Sequence, residues 1–308
     1  MKRVALHTLG CKLNYAETAT IGKRFASEGY TVVDIESPAD VVVINTCSVT
    51  DHSDRECRQL VRRALRHSPE AIVVVVGCYT QLHPEKIAEI HGVDFILGTQ
   101  EKNSLFELID RTNKRSTPEI YVSCVTKSAE FKSASSVGFA DRTRAFLKVQ
   151  DGCDYQCSFC TIPLARGRSR SISVPDSLAQ AREAAGHGYR EIVLTGVNVG
   201  DYGNGSGDDL YSLLRQLATI KDLTRIRISS IEVNLLTDEL LNFWIAEEKL
   251  CKHWHIPLQS GSNEILGRMR RRYRREFYAD KIRRIKERVP DAGIGTSGKC
   301  RAGVASAL

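Results

Sequence analysis

Val41-Val42-Val43-Ile44-Asn45-Thr46-Cys47 sets four consecutive β-branched apolar residues ahead of two polar ones and a thiol. β-Branched side chains suit a pleated strand, and a continuous rather than alternating apolar run marks a strand covered on both faces. Working outward, the plan recurs twice: Val4-Ala5-Leu6-His7-Thr8-Leu9-Gly10 leads to Cys11, and Ile72-Val73-Val74-Val75-Val76-Gly77 leads to Cys78. The segments between them read as helices. Apolar strands alternating with helices of about 10 to 15 residues imply right-handed crossovers and a parallel sheet with helices on both faces. In that topology all strands end at one edge. Cysteines spaced 36 and 31 residues apart therefore converge at the crevice where open α/β sheets bind ligands.

This pattern fills residues 1–99, expected as one domain. From 100 to 143 it loosens, and the Ser-rich stretch Lys127 to Ser136 lacks sustained periodicity, so 100–143 reads as a linker. A second α/β unit, 144–308, then begins with a strand at Ala145–Gln150, a helix near Asp176–His187 and a strand at Glu191–Thr195. It continues with a helix at Asp209–Ile220, a strand at Arg225–Ser230, a helix at Thr237–Ala246, a strand at His253–Pro257 and a helix from about Ser262. Repeated βα units of this kind suggest an open or partly closed barrel.

Composition agrees with a folded two-domain chain. Its 308 residues are 42% apolar and 26% charged, which excludes collagen-like and disordered classes. Ten cysteines mean either metal chemistry or a secreted disulfide framework. The N-terminal apolar run, broken by His7 and Thr8, is too short for a secretion signal, which favours a cytoplasmic protein with reduced thiols. No stretch approaches the roughly 18 apolar residues of a membrane helix, so no membrane partner is expected.

The densest signal is Gly152-Cys153-Asp154-Tyr155-Gln156-Cys157-Ser158-Phe159-Cys160, a C-x3-C-x2-C cluster directly after an expected strand. Three thiolates this close can hold three irons of a cubane, leaving the fourth open to a small molecule that chelates through amino and carboxylate groups. A zinc site short of one ligand is the competing reading, although the spacing is unusual for zinc knuckles. Cys11, Cys47 and Cys78 form the other set. They read either as a second three-cysteine cluster with one iron open to a sulfur species, or as three core thiols, since buried cysteine behaves as a small hydrophobe.

Several longer stretches accompany these cysteines. They are Thr8-Leu9-Gly10-Cys11-Lys12-Leu13-Asn14-Tyr15-Ala16-Glu17-Thr18, Asn45-Thr46-Cys47-Ser48-Val49-Thr50 and Gly77-Cys78-Tyr79. Ile162-Pro163, Arg166-Gly167-Arg168-Ser169-Arg170, Ser229-Ser230-Ile231-Glu232 and His255-Ile256-Pro257-Leu258-Gln259-Ser260-Gly261-Ser262 complete the pattern. With these motifs the chain resembles, along nearly its whole length, the methylthiotransferases of the radical S-adenosylmethionine (SAM) superfamily. Gly10-Cys11-Lys12-Leu13-Asn14 is similar to the branch acting on threonylcarbamoyladenosine beside tRNA anticodons, with the same reaction on isopentenyladenosine tRNA or on a ribosomal protein as the alternative.

The resemblance implies a Rossmann-like parallel-sheet N-terminal domain followed by an incomplete radical SAM (β/α) partial barrel. It implies two [4Fe-4S] clusters, on Cys153, Cys157, Cys160 and on Cys11, Cys47, Cys78, together with S-adenosyl-L-methionine. The first would deliver an electron to SAM and yield a 5′-deoxyadenosyl radical that takes hydrogen from adenine C2; the second would present the methylated sulfur. Catalytic residues beyond the cluster ligands are not implied. Thr195, Gly196, Ser230, Glu232 and Gln259 become candidate SAM contacts, the alternative being ordinary strand-end polar residues. The implied partners are tRNA, an electron donor protein and a sulfur donor.

Charge points to RNA independently. The net +7 is concentrated between Arg268 and Arg288, where 11 Lys or Arg face 3 Asp or Glu. Arg270, Arg271, Arg272, Arg274 and Arg275 are candidate RNA contacts there, and Arg58, Arg62 and Arg66, at i, i+4 spacing, form a second stripe. A solvated helix face is the alternative for both. Tyr273, Phe277 and Tyr278 interleave with the longer patch, with packing against the barrel favoured over base stacking. Cys57, Cys124, Cys251 and Cys300 belong to neither set; Cys251, His253 and His255 would share a strand face, but are read as structural, with His255 near the active site. After Gly293-Ile294-Gly295-Thr296 the sequence leaves the family pattern, which expects further barrel elements and a small RNA-binding barrel. That departure reads as a frameshift or truncation and leaves a non-catalytic RNA-binding or iron-sulfur remnant as the alternative to an enzyme.

Overall fold

The alternation of side chains along each strand explains why the first runs are apolar throughout. In the computed structural model, which describes residues 2–47, 53–109, 114–125, 130–140 and 142–298, Val41 and Val43 face one helical layer while Val42 and Ile44 face the other. The strands are β1 (Arg3–Thr8), β2 (Thr31–Val33), β3 (Val41–Thr46), β4 (Ile72–Gly77), β5 (Phe95–Leu97) and β6 (Glu119–Tyr121). They form one parallel sheet in the order β2-β1-β3-β4-β5-β6. Ile21 and Phe25 of α1 (Lys12–Ser27) cover one face; Cys57, Val61 and Ala64 of α2 (Ser53–His67) cover the other. Burial on both faces is the physical reason a polar residue is tolerated only at the strand ends.

Three short helices complete this layer: α3 (Cys78–Leu82), α4 (Pro84–Ala88) and α5 (Leu105–Ile109). The stretch expected as a linker carries structure. It contains α5, the sheet's sixth strand β6, and β7 (Ala134–Ser135), where Ser135 N donates to Thr20 Oγ1 at 3.0 Å. The chain divides into two compact units that cut across the expected boundaries. Residues 1–130, 134–141 and 161–168 form the first, and 131–133, 142–160 and 169–308 the second. The first thus includes α6 (Ile162–Arg166), which follows the C-x3-C-x2-C motif in sequence.

In the second unit β8 (Arg144–Lys148), β11 (Glu191–Thr195) and β12 (Arg225–Ile228) run parallel. The series continues through a parallel bridge between Ile226 and Leu250 to β13 (His253–His255), which pairs with β14 (Gly293–Gly295). β9 (Gln150–Asp151) and β10 (Arg170–Ser171) make a short antiparallel pair. The helices are α7 (Val174–Gly186), α8 (Leu210–Ala218), α9 (Asp238–Ala246), α10 (Asn263–Arg268) and α11 (Arg275–Arg288). Ser173, Asp209, Thr237 and Ser262 cap α7 to α10 with side-chain oxygens accepting from the third residue on, which sets each helix start by satisfying an orphan N–H. The expected single helix from Ser262 is instead two, broken where Arg270 adopts φ +56°. The series of parallel strands ends in a bridge between Gln259 and Gly298; Cys300 and the tail after it, Ser48 to Thr50, and Lys127 and Ser128 of the expected linker lie outside the described residues. Among the described residues no helix is long and apolar enough to cross a membrane.

Candidate functional site

At the C-terminal edge of the first sheet, register brings Thr8 of β1 opposite Asn45 of β3, and Asn45 opposite Val76 of β4. Cys11, Cys47 and Cys78 follow within three residues of those positions, just beyond the ends of adjacent strands, which lie about 4.8 Å apart. Local backbone makes the close approach. Gly10, at φ +92°, lies so near Cys47 that a Cβ there would sit 2.5 Å from Cys47 Cβ and 2.6 Å from its Sγ. Gly77, at φ +112°, would meet Asn45 Oδ1 and Thr46 O at 2.5 Å. Cys11 is exposed, whereas Cys47 and Cys78 are buried. Burial pushes the Cys78 thiol up to about 11, with Arg166 opposing and Glu17 and Cys11 reinforcing the rise.

A polar network that the sequence motifs had not been assigned to links these strand ends. Asn14 Nδ2 donates to Leu9 O at 3.0 Å and to Thr46 O at 2.9 Å. Asn45 Nδ2 donates to Asn14 O and Thr18 Oγ1, each at 3.1 Å, and Thr46 Oγ1 to Val76 O at 2.7 Å. Arg166 donates through Nε to Cys78 Sγ at 3.1 Å and through NH2 to Asn14 Oδ1 at 2.7 Å. Asn14 and Glu17, three and six residues beyond the cap position Cys11, were the available signal, because two polar residues on the buried side of a helix require partners.

In the second unit, Cys153, Cys157 and Cys160 occupy the loop after β9. Burial pushes the Cys153 thiol up to about 12, and nearby Cys160 and Cys157 add to the rise. The loop is fixed by Gln150, whose Nε2 donates to Gly152 O at 2.7 Å and Ser169 Oγ at 3.1 Å while its Oε1 accepts from Asn198 N at 2.8 Å. Tyr155 N lies 3.4 Å from Cys153 Sγ, and Arg271 NH1 donates to Cys157 Sγ at 3.3 Å.

Of the expected SAM contacts, Thr195 ends β11 and the other four follow strand ends of this unit. Thr195 is buried and donates to Leu147 O at 3.1 Å, and a Cβ on Gly196 would lie 2.9 Å from Gln150 O. Ser230 is half-buried after β12, Gln259 stands at φ +64°, and Glu232 is ion-paired with Arg271. Arg271, only 4% exposed, is thereby turned inward rather than presented to a solvent-side polyanion. Arg270, Arg272, Arg274 and Arg275 are exposed, with Arg272 stacked 3.9 Å from the Tyr155 ring centroid. Tyr273 and Tyr278 are buried, their hydroxyls donating to backbone carbonyls, so of the three interleaved aromatics only Phe277 is exposed. Arg58, Arg62 and Arg66 line one cavity of about 650 Å³ with Glu89 and His91.

Among the described residues no three His, Cys, Asp or Glu side chains close on a single metal ion. A cubane makes a different demand, since each thiolate binds a separate iron. Both sets offer that demand its donors, soft thiols of which one in each set is reached by an arginine N–H.

Residues 147–298 match the Radical SAM superfamily, and residues 3–98 match the family described as Uncharacterized protein family UPF0004. Among solved structures, the radical SAM methyltransferase TsrM from Kitasatospora setae aligns over 97% of this chain and 67% of its own, with TM-score 0.66 at 14% identity. The cobalamin-dependent radical SAM enzyme OxsB aligns over 97% of this chain and 49% of its own, with TM-score 0.64 at 16% identity. Those likenesses establish the fold. Among curated proteins, threonylcarbamoyladenosine tRNA methylthiotransferase MtaB of Bacillus subtilis is 43% identical over 96% of this chain and 66% of its own length. MtaB of Aquifex aeolicus is 40% identical over 96% and 72%. The chain therefore spans about two thirds of the length of the curated relatives it matches. With its parallel sheet, its radical SAM α/β unit and this similarity, the chain belongs to the MtaB-type tRNA methylthiotransferases, a family of radical SAM enzymes.

Proposed function

We propose that this chain transfers a methylthio group to C2 of N6-threonylcarbamoyladenosine at position 37 of tRNA, using SAM and two [4Fe-4S] clusters. The supporting observation is the common sheet edge of Cys11, Cys47 and Cys78 in a chain that also carries C-x3-C-x2-C. The latter alone suits any radical SAM reaction; the former adds a place for sulfur. When bound, the clusters and SAM supply the one-electron chemistry and the methylthio sulfur.

The chain's own residues bind and orient. Gln150 and Gly196 hold the loop of Cys153 against the end of β11, and Arg271 fixes Cys157 while its charge is balanced by Glu232. Thr195, Gly196, Ser230, Glu232 and Gln259 remain the residues for SAM. Arg58, Arg62 and Arg66, with Arg270, Arg272, Arg274 and Arg275, meet tRNA phosphates; replacing Arg62 or Arg66 by Ala lowers the salt slope of tRNA affinity by about 1 each. An electron donor protein, a sulfur donor and a cytoplasmic setting that keeps thiols reduced complete the reading.

The test is mass analysis of tRNA nucleosides from cells lacking the gene, with this chain supplied back. Loss and restoration of the 2-methylthio derivative of threonylcarbamoyladenosine is the expected result. Loss of the isopentenyladenosine derivative instead would reassign the substrate, and no restoration of either would leave an RNA-binding or iron-sulfur remnant.

A further inference from the structure

Glu17, Arg166 and Lys102 bury three ionisable groups inside the first unit, with side chains 3%, 2% and 4% exposed. Removing charges from water costs several kcal/mol per ion unless geometry and hydrogen bonding compensate. Apolar packing of the sheet does not require such a group, so its directionality is informative. The guanidinium reaches Glu17 Oε1 and Oε2 through NH1 and NH2, each at 3.1 Å, and Asn14 Oδ1 through NH2. One donor is left. Nε–H points to Cys78 Sγ at 3.1 Å, and the planar fork fixes all these directions together.

The helix carrying Arg166 is itself pinned. Thr99 Oγ1 donates to Ala165 O at 2.8 Å, and Gly167, at φ +76°, packs so closely that a Cβ would lie 2.5 Å from Val125 O. Through Asn14 the same network reaches Leu9 O and Thr46 O, so a single guanidinium is tied to the ends of all three cysteine-bearing strands.

We propose that Arg166 is the positioning residue of the Cys11, Cys47 and Cys78 site: it orients the Cys78 sulfur and sets a fixed N–H and positive charge beside an anionic cluster, raising its reduction potential. Hydrogen bonds to sulfur and local charge are established levers on such potentials. The inference rests on the two-cluster reading above.

The experiment uses the full chain with Cys153, Cys157 and Cys160 replaced by Ala, so that only the first set can bind iron. After anaerobic reconstitution, iron is counted and the midpoint potential is measured by an electron paramagnetic resonance redox titration, in this background and with R166M or R166K added. The expected background holds about four irons. R166M shifts the potential to more negative values, and R166K shifts it the same way by less, because lysine keeps the charge against Glu17 but lacks the fork that reaches Cys78. A folded variant, by circular dichroism, that loads less than half the iron also supports a positioning role. R166K at the background's potential and loading overturns the proposal, and decides the matter if R166M does not fold. A background without iron overturns the two-cluster reading and the proposal with it, an outcome distinct from full loading at an unchanged potential.

Discussion

Cys153, Cys157 and Cys160 lie within eight residues of one loop, whereas Cys11, Cys47 and Cys78 span 68 residues and meet because β1, β3 and β4 are neighbours in register. The compact set is a property of local chain. Its supports are a buried amide, Gln150, and backbone contacts such as Ser158 N to Met269 O at 3.3 Å. The dispersed set is a property of the sheet. It needs two glycines at positive φ to let strand ends approach and a buried ionic group to satisfy the polar atoms gathered there. A site assembled from distant segments therefore carries a larger polar scaffold than one written into a single loop, because every additional strand end brings backbone groups that must be paired.

Glu17→Ala is the sharpest way to break this contrast. It leaves Arg166 and Lys102 buried without their carboxylate and is expected to cost about 3–5 kcal/mol, read by urea denaturation, with iron lost from the first set alone. Gly10→Ala comes next. A forced φ of +92° and a Cβ in van der Waals conflict with Cys47 are expected to cost about 2–4 kcal/mol and to halve iron per chain while SAM binding at the second set persists. Gln150→Ala attacks the compact set and strands buried partners, at about 1–3 kcal/mol; its iron loss should fall on Cys153, Cys157 and Cys160, the reverse of Gly10→Ala. If all three variants lost iron from both sets equally, the two sites would not be independent.

Asp238→Asn supplies the smallest effect and a control away from both sets. Hydrogen bonds from Lys281 and Arg284 hold the Asp238 carboxyl down from 3.8 to about 2. A depressed carboxylate stabilises fully above its unfolded pKa and loses that contribution as pH falls through the folded one. The wild-type advantage over Asp238→Asn should thus be present at neutral pH and vanish between about pH 4 and 2, and it should be small because the carboxylate is largely exposed. Melting temperatures across that pH range, with unchanged iron content, check it.

The β-branched runs ending at Cys11, Cys47 and Cys78 made the parallel sheet legible, because a strand buried on both faces leaves no room for an alternating pattern. The C-x3-C-x2-C spacing made the second donor set legible for the same kind of local reason. β6 was not legible: Glu119-Ile120-Tyr121 is a three-residue edge strand whose residues are half-buried or exposed, so no apolar run announces it. Nor did the basic count disclose that Arg271 is turned inward, since a charge tally is blind to direction. Arg166 shows the limit most plainly. By sequence it stands six residues beyond Cys160, yet it folds into the first unit and reaches Cys78, 88 residues away. Composition, period and motif spacing made the longer elements and the fold class legible and singled out both cysteine sets, because these depend on neighbours along the chain; the partners of Glu17, Asn14 and Arg166 were decided only by tertiary structure, because buried charges are paired by proximity in space.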